Sequence, residues 1–162
     1  MYYEEVFKEL NAKKVRYLIV GGMAVVLHGI VRLTADLDIM IDLGKKNADA
    51  FISAMGGLGY RPRVPVKAAE FAEPEKRAAW MKEMGMKVLS FFDQKAPMHT
   101  VDVFVYEPID FEEAYGRKKM IKAGKLRLPV VSIEDLKKLK AISGREQDLA
   151  DIRSLEGLKG GQ

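Results

Sequence analysis

The sequence predicts a single α/β domain of the α+β kind, with a small mixed central sheet flanked by helices and two helices at its carboxyl end. Helical and strand periodicities follow one another in the order α-β-α-β-α, then an irregular excursion, then β-β-α-β-α-α. The chain has 162 residues, enough for one packed core and few for two. No repeat or linker divides it, so we expect one domain over 1–162, with a core at 13–131 and a helical part at 132–158.

Composition narrows the class of protein. Hydrophobic residues make up 48% of the chain and charged residues 31%, which is typical of an ordered globular domain. No segment approaches the roughly 18 uninterrupted apolar residues of a membrane span. The acidic amino terminus, MYYEEVFKEL, does not resemble a signal peptide, and the absence of cysteine is consistent with a reducing compartment. We therefore expect a cytoplasmic protein without a membrane partner. The sequence leaves its oligomeric state undetermined.

The amino-terminal half contains the most informative element. An amphipathic helix over 2–12 and a buried strand over 15–20 precede Gly21-Gly22, and a short helix closed by Gly29 follows them. Residues 33–41 then alternate strictly between apolar side chains and a second set that includes Asp36 and Asp38. This pattern predicts a strand with an apolar back and an acidic front.

The rest of the chain is predicted from periodicity and turn residues. Residues 61–85 combine prolines and charges, and we expect a loop and a helix at 74–84 that form a flap over a site. Ser132 and Asp135 form a capping-box start to a helix that Gly144 closes. The remaining predicted elements are a helix at 48–58, a hairpin of strands 86–93 and 99–107, a helical stretch at 111–122, a strand at 125–132, a last helix carrying Leu149, Ile152 and Leu155, and a frayed tail at 157–162.

Three aspartates form the candidate centre. Asp36 and Asp38 are two apart on one strand, so their Cα atoms lie roughly 6.5–7 Å apart on one face. Asp102 stands among valines on a later strand, and it completes a three-carboxylate cluster if the two strands are neighbours. A divalent cation would remove the mutual repulsion, and hard oxygen ligands suit Mg²⁺ or Mn²⁺. Alternatively, the pair lies on a solvated sheet face and Asp102 is a rim residue.

A glycine pair and several cations accompany the carboxylates. A strand that ends in Gly21-Gly22 and opens into a helix exposes backbone N–H groups that suit a phosphate, although the pair could be only a tight turn. Helical spacing directs Lys140 inward, where it needs a phosphate or an aspartate, or else it extends along a helix edge. Arg145 could bind phosphate or cap carbonyls.

The surrounding sequence adds further polar groups. Arg32 and Thr34 sit at the mouth of the acidic strand, where Arg32 could bind phosphate or pair with Asp36. Asp148 and Asp151 lie three apart on the last helix and are expected to pair with Arg145 or Arg153 rather than with metal. The whole segment 117–145 is strongly basic, which suits an anionic partner or a solvated face.

These residues resemble a known pattern. The arrangement GG-x(13)-D-L-D, with Arg32 and Thr34 just before it and Asp102 on a later strand, resembles the DNA polymerase beta-type nucleotidyltransferase superfamily. Within it, the chain is most similar to the small bacterial minimal nucleotidyltransferases and AbiEii-type toxin proteins, whose serine-capped ending resembles SIEDLKKLKAISGREQDLADIRSL. One departure is that Gly21-Gly22 stands where the superfamily usually has Gly-Ser.

The resemblance implies a nucleotidyltransferase fold and the transfer of a nucleoside monophosphate from a nucleoside triphosphate (NTP) to a hydroxyl group. It implies that Asp36, Asp38 and Asp102 are the catalytic and metal-binding residues for Mg²⁺ or Mn²⁺. The nucleotide-binding residues would be Gly21, Gly22, Arg32, Thr34, Lys140 and Arg145. The acceptor is left open between a protein, a tRNA end and a small molecule such as an antibiotic. The alternative is the partner-binding half of a toxin–antitoxin pair, with a small helical partner protein and weak or lost catalysis.

Overall fold

The computed structural model describes residues 2–158; Met1 and residues 159–162, the last part of the predicted frayed tail, lie outside the described residues. The strands of its sheet are β1 Tyr17–Val20, β2 Leu37–Ile41, β3 Tyr60–Pro62, β4 Val88–Asp93, β5 Thr100–Phe104, β6 Lys119–Ala123 and β7 Leu126–Val130. The helices are α1 Glu4–Ala12, α2 Gly21–Leu27, α3 Lys45–Gly57, α4 Pro74–Met84, α5 Phe111–Gly116, α6 Ile133–Ser143 and α7 Glu146–Glu156, with a 3₁₀ helix at Ala68–Ala72. Within residues 2–158, no helix is long and apolar enough to cross a membrane.

Strand pairing places four residues in a row on one face of the sheet. The strands are ordered β3-β4-β5-β2-β1-β7-β6 and are of mixed direction. Asp38 on β2 is aligned with Val20 on the antiparallel β1 and with Asp102 on the parallel β5. Asp102 is in turn aligned with Ser90 on β4. Because side chains at aligned positions point to the same face, this face carries the two carboxylates.

The opposite face carries an apolar row and is covered by α3 and the 3₁₀ helix. Leu37 is aligned with Val101, and Val101 is aligned with Phe91. The ring of Phe51 from α3 lies 5.6 Å from that of Phe91 and 5.8 Å from that of Phe71 in the 3₁₀ helix. The excursion at 61–85 therefore packs into the core on the face away from the carboxylates, and the prediction that it forms a flap over the site is wrong.

Most of the predicted elements are present. The mixed α/β class, the flanking helices and the β4–β5 hairpin are confirmed, and so is the helix at 74–84. Half of the capping box predicted for α6 is present, since the Ser132 hydroxyl accepts a hydrogen bond of 3.1 Å from the Asp135 amide, whereas the Asp135 carboxylate pairs with Arg117. Gly144 ends α6 in the left-handed conformation, with φ of +66°.

The acidic strand is shorter than predicted. The alternation from residue 33 onward predicted a strand, but β2 begins at Leu37, and Leu33 is 96% exposed instead of facing the core. The reason lies in β1, which ends at Val20 opposite Asp38 and turns at once into α2. Residues before Leu37 consequently have no strand to pair with on that side. They form a loop that carries Arg32, Thr34 and Asp36.

The predicted helix at 111–122 is wrong in its second half. Helix α5 ends at Gly116, and Lys119–Ala123 forms β6, which pairs antiparallel with β7 across Gly124 and Lys125. Gly124 has a φ of +63°, the left-handed conformation that two-residue hairpin turns require. The Gly-Lys turn was therefore the available signal for a hairpin at this point.

Candidate active site

One polar cavity of about 300 Å³ brings together all nine residues that the sequence indicated as site residues. It lies on the carboxylate face, between the α2 amino terminus, the loop before β2 and the α6–α7 junction. The nine residues are Gly21, Gly22, Arg32, Thr34, Asp36, Asp38, Asp102, Lys140 and Arg145. Their placement around one space is a property of the fold, and their chemical roles stay a prediction.

Asp38 and Asp102 form the acidic centre of this cavity. Burial, followed by the charges of Asp102 and Asp36, raises the pKa of Asp38 to about 7, while Lys140 opposes the rise. Burial also raises the pKa of Asp102, although a hydrogen bond from Ser90 opposes it. The Asp102 Oδ1 atom is buried and has no hydrogen-bond partner among the described residues. A buried acceptor of this kind is costly, so a ligand that pairs with Oδ1 would be favoured there.

A divalent cation is a ligand of suitable chemistry for this pair. Two buried carboxylates with raised pKa values would be relieved by a positive charge between them, and oxygen donors suit Mg²⁺ or Mn²⁺. Asp36 lines the same cavity, but its side chain is exposed on the rim. Across residues 2–158, the side chains form no group of three or more His, Asp or Glu residues that could hold a metal ion. The residues that fit a cation are thus Asp38 and Asp102, with Asp36 beside them.

The glycine pair is required by close packing at the cavity wall. Gly21 has a φ of +64°, and a Cβ atom on it would overlap the Asp38 Oδ2 atom. A Cβ atom on Gly22 would lie 2.7 Å from the Thr34 hydroxyl oxygen and 3.0 Å from Arg32 Nη1. The space that a side chain at position 22 would take is therefore filled by polar groups from the loop before β2.

A buried ion-pair network holds the cations of the cavity. The Lys140 ammonium is only 6% exposed and lies 2.8 Å from Asp151 Oδ2 and 3.2 Å from Asp148 Oδ1. Asp151 also accepts a hydrogen bond of 2.7 Å from Arg32 Nη1. The inward direction predicted for Lys140 is confirmed, and its partners are aspartates. Arg32 pairs with Asp151, so the alternative that it pairs with Asp36 is wrong.

Asp148 anchors the other end of the network. Burial alone would raise the pKa of Asp148, but hydrogen bonds from Arg145, Ser143 and Lys140 outweigh it and hold the pKa well below its usual range. The Arg145 Nε atom donates to Asp148 Oδ2 at 2.9 Å, which confirms the predicted pairing. Asp151 does not pair with Arg153, the other predicted partner, since its partners are Arg32, Lys140 and Gln147.

A second, largely apolar cavity of about 410 Å³ shares the carboxylate pair with the first. Both cavities include Gly21, Asp38, Asp102, Lys140, Arg145 and Asp148. The second one extends away from them along β5 and α6, where its wall is formed by Phe104, Tyr106, Pro108, Leu136, Leu139 and Ile142. The two carboxylates therefore lie between a polar space and an apolar space.

Sequence reasoning missed several of these residues. It took Asp148 and Asp151 as simple partners on their own helix, whereas Asp151 joins an arginine 119 positions away. It also missed Tyr3, whose buried hydroxyl donates to the Ala35 carbonyl and accepts from the Thr100 amide at 3.2 Å, which ties the loop before β2 to the start of β5. No local pattern signals such long-range contacts. The apolar periodicity of β5 and α6 was visible but could not show a cavity.

Comparisons with known proteins agree on the fold. No protein-family model matches the chain, and no curated protein is significantly similar in sequence. Among solved structures, the lincosamide antibiotic adenylyltransferase LnuA, with lincomycin bound, is 19% identical and has a TM-score of 0.59 over 94% of this chain and 95% of its own. ANT(2")-Ia in complex with adenylyl-2"-tobramycin is 12% identical, with a TM-score of 0.57 over 99% of this chain and 94% of its own.

A third structural relative is an antigenic nucleotidyltransferase-like protein from Paracoccidioides brasiliensis. It is 16% identical, with a TM-score of 0.58 over 94% of this chain and 72% of its own. At these identities the likeness concerns the fold. The nucleotidyltransferase fold that the sequence resemblance implied is thus confirmed.

Substitution of Gly21 tests the contact between the glycine turn and Asp38. We expect Gly21→Ala to lower the free energy of unfolding by more than the roughly 1–2 kcal/mol that a left-handed backbone alone costs an alanine. Gly124→Ala is a matched control, since Gly124 has a φ of +63° and nothing within 4 Å of its added Cβ. Urea denaturation measures both. Equal losses for the two variants would show that Asp38 does not press against the turn.

The raised pKa of Asp38 predicts how stability depends on pH in the metal-free protein. Its folded pKa of about 7 lies above the ordinary value of 3.8, so between these pH values the folded chain keeps a proton that the unfolded chain releases. The free energy of unfolding therefore falls as the pH rises through this window. Asp38→Asn removes the titrating group, and we expect it to reduce the wild-type loss between pH 5 and pH 8 by about 1–3 kcal/mol.

Urea denaturation at the two pH values, with EDTA present, measures this difference. Glu83→Gln, which removes an exposed carboxylate on α4, is the control and should behave like the wild type. The assignment would be contradicted if the free energy of unfolding changed by the same amount between pH 5 and pH 8 in the wild type and in Asp38→Asn.

Proposed function

We propose that the protein is a metal-dependent nucleotidyltransferase, which moves a nucleoside monophosphate from an NTP to a hydroxyl group and releases pyrophosphate. The observation that carries this proposal is the half-buried pair Asp38 and Asp102, with its unpartnered buried oxygen, in a cavity ringed by groups that suit a phosphate. The nucleotidyltransferase fold supports it. We propose a cytoplasmic location, and a relationship to the minimal nucleotidyltransferases and AbiEii-type proteins on the sequence pattern alone.

The polar cavity takes the triphosphate. Arg145 is exposed at its edge and Arg32 is held in place by Asp151, so both can reach phosphate oxygens. Gly21 and Gly22 line the same cavity, and the Thr34 hydroxyl stands beside Gly22 as a further donor. Lys140 has a different part. Two aspartates already hold it, and its charge also lowers the pKa of Asp38.

The carboxylates hold the cation. Asp38 and Asp102 are the residues that would bind it, and Asp36 lies on the rim of the same cavity as a further oxygen donor. A bound Mg²⁺ or Mn²⁺ supplies the positive charge that such phosphoryl chemistry requires on both the entering and leaving oxygens. Without such a charge, the raised pKa values show that two ionised carboxylates are poorly accommodated here.

The chain's own groups account for the proton and the leaving group. The acceptor hydroxyl gives its proton to the Asp102 carboxylate, which lines both cavities. The hydroxyl oxygen then forms a bond to the α-phosphorus, and the bond from that phosphorus to the bridging oxygen breaks. Pyrophosphate leaves with its charge facing Arg32 and Arg145.

The apolar cavity accommodates the other reacting group. At about 410 Å³ it falls in the size range of small-molecule sites, and its wall of Phe104, Tyr106 and Ile142 suits a flat or apolar group such as a base or an acceptor ring. Of the structural neighbours, LnuA has lincomycin bound and ANT(2")-Ia is in complex with adenylyl-2"-tobramycin. We therefore favour a small hydroxylated molecule as the acceptor, with tRNA and protein hydroxyl groups as the other candidates.

A second candidate function is the partner-binding half of a toxin–antitoxin pair. The observation in its favour is an apolar rim beside the cavity, where Val31 is 100% exposed and Leu33 is 96% exposed. A small helical protein could cover such a rim. The ordered carboxylate pair favours the enzyme, because a chain that only binds a partner has no need of it.

Label transfer tests the proposed activity. The protein is incubated with each α-³²P-labelled NTP and Mg²⁺ or Mn²⁺, together with aminoglycosides and lincosamides, total tRNA or extract proteins. We expect a labelled product with one of these acceptor classes. The double variant Asp38→Asn/Asp102→Asn should lose at least about 1,000-fold in rate, since charge stabilisation by a catalytic metal is worth several kcal/mol.

The matched control is Asp49→Asn/Glu83→Gln, which removes two exposed carboxylates that line neither cavity and should keep the wild-type rate. Transfer that persists in the cavity variant would refute the assignment. An active control with an inactive cavity variant would support it. A chain that binds a helical protein tightly and transfers no label in any arm would favour the second candidate.

A further inference from the structure

A basic groove of about 760 Å³ lies on the molecule away from the carboxylate cavity. It runs between the second half of α1 and the β6–β7 hairpin. Its cationic side chains come from four separate parts of the chain, and they are Lys8, Lys14, Lys118, Lys125 and Arg127. Among the described residues, no Asp or Glu lines it.

The cations of this groove are largely unneutralised. Lys14, Lys118, Lys125 and Arg127 make no ion pair with any residue in 2–158, whereas Arg117, Lys137 and Lys138 of the same basic segment pair with Asp135 or Glu134. Lys8 contacts Glu4 and Glu5 only at 3.6 and 3.8 Å on the exposed face of α1. Three of the unpaired cations of the segment, Lys118, Lys125 and Arg127, thus line the groove.

The β6–β7 hairpin carries a further pair of neighbouring cations. Arg127 on β7 is aligned directly with Lys122 on β6, so two cations stand opposite each other on one face of an edge hairpin. Like charges in this position destabilise a sheet. An anionic ligand across the hairpin would remove that repulsion.

The floor between these cations is apolar. Val15, Met120, Leu126 and Pro129 form it, and Met120 is 40% exposed. A ligand must therefore present several negative charges with uncharged surfaces between them. A nucleic acid strand does so at every nucleotide, with a phosphate for the rim and a base for the floor. We propose that the groove binds a single-stranded polynucleotide.

The groove is separate from the proposed reaction centre. Tyr17, at the start of β1, lines the groove, whereas Val20, at its end, is aligned with Asp38. Three positions along a strand correspond to about 10 Å, and no residue that lines the groove lines either cavity at the carboxylates. Polynucleotide binding here does not depend on the transfer activity, and it holds its ligand away from the carboxylates.

Fluorescence anisotropy with labelled 12-nucleotide single strands tests the proposal. The probes are one RNA and one DNA of mixed sequence, with polyphosphate and poly-glutamate of matched charge as competitors. The variant is Lys118→Ala/Lys125→Ala/Arg127→Ala. Its control, Lys46→Ala/Lys82→Ala/Lys95→Ala, removes the same charge at exposed positions outside the groove.

We expect the wild type and the control to bind at least one of the two strands. In the groove variant, three lost phosphate contacts should weaken binding about 100-fold at 0.1 M salt and lower the slope of log K against log[salt] by about 2. NTP-dependent label transfer to a small molecule should be unchanged in the variant. Polyphosphate and poly-glutamate should compete poorly, because they offer no base for the floor.

Two results would overturn the inference. One is equal binding by the groove variant and the control. The other is displacement of the strand by poly-glutamate as effective as displacement by unlabelled strand, which would make the groove a site for acidic peptides. Circular dichroism of the groove variant establishes that it is folded, so that lost binding is not lost structure.

Discussion

The structure is organised around two half-buried carboxylates, Asp38 and Asp102, that strand register places side by side. The parallel pairing of β2 with β5 aligns Asp38 with Asp102, and a position in the sheet does not allow either to turn away into solvent. Burial raises both pKa values, and the charge of Asp102 adds to the rise at Asp38. Two features of the chain follow from this pair. Position 21 is glycine because a side chain there would overlap Asp38, and the buried ammonium of Lys140 opposes the rise in the pKa of Asp38.

Charge compensation extends outward from the pair in alternating layers. Lys140 offsets the carboxylates, Asp148 and Asp151 hold Lys140, and these aspartates in turn position Arg145 and Arg32 at the cavity edge. Aspartates that are only 1% and 2% exposed would be unfavourable without such partners. The network joins α6 and α7 to the loop before β2. The charged side chains that connect these distant parts of the chain therefore also surround the proposed phosphate site.

Local patterns in the sequence predicted the site better than they predicted the boundaries of the elements. Alternation identified Asp38 as facing away from the core, and the serine cap fixed α6, so Lys140 was correctly directed inward. The strand was extended back to residue 33 because alternation cannot show where a partner strand ends. The β6–β7 hairpin was missed because its charged side chains obscured the strand pattern. The ion pairs of Arg32 and the position of the 61–85 excursion depend on contacts across the fold, which a single sequence does not encode locally.

Binding of Mn²⁺, followed by electron paramagnetic resonance of the free ion, tests the central claim most directly, because the claim is that the paired carboxylates accommodate a divalent cation. The account predicts saturable binding by the wild type, unchanged binding by Asp49→Asn, and affinity at least about tenfold lower in Asp102→Asn, which removes one of two negative ligands. Equal Mn²⁺ affinity in the wild type and Asp102→Asn would contradict it.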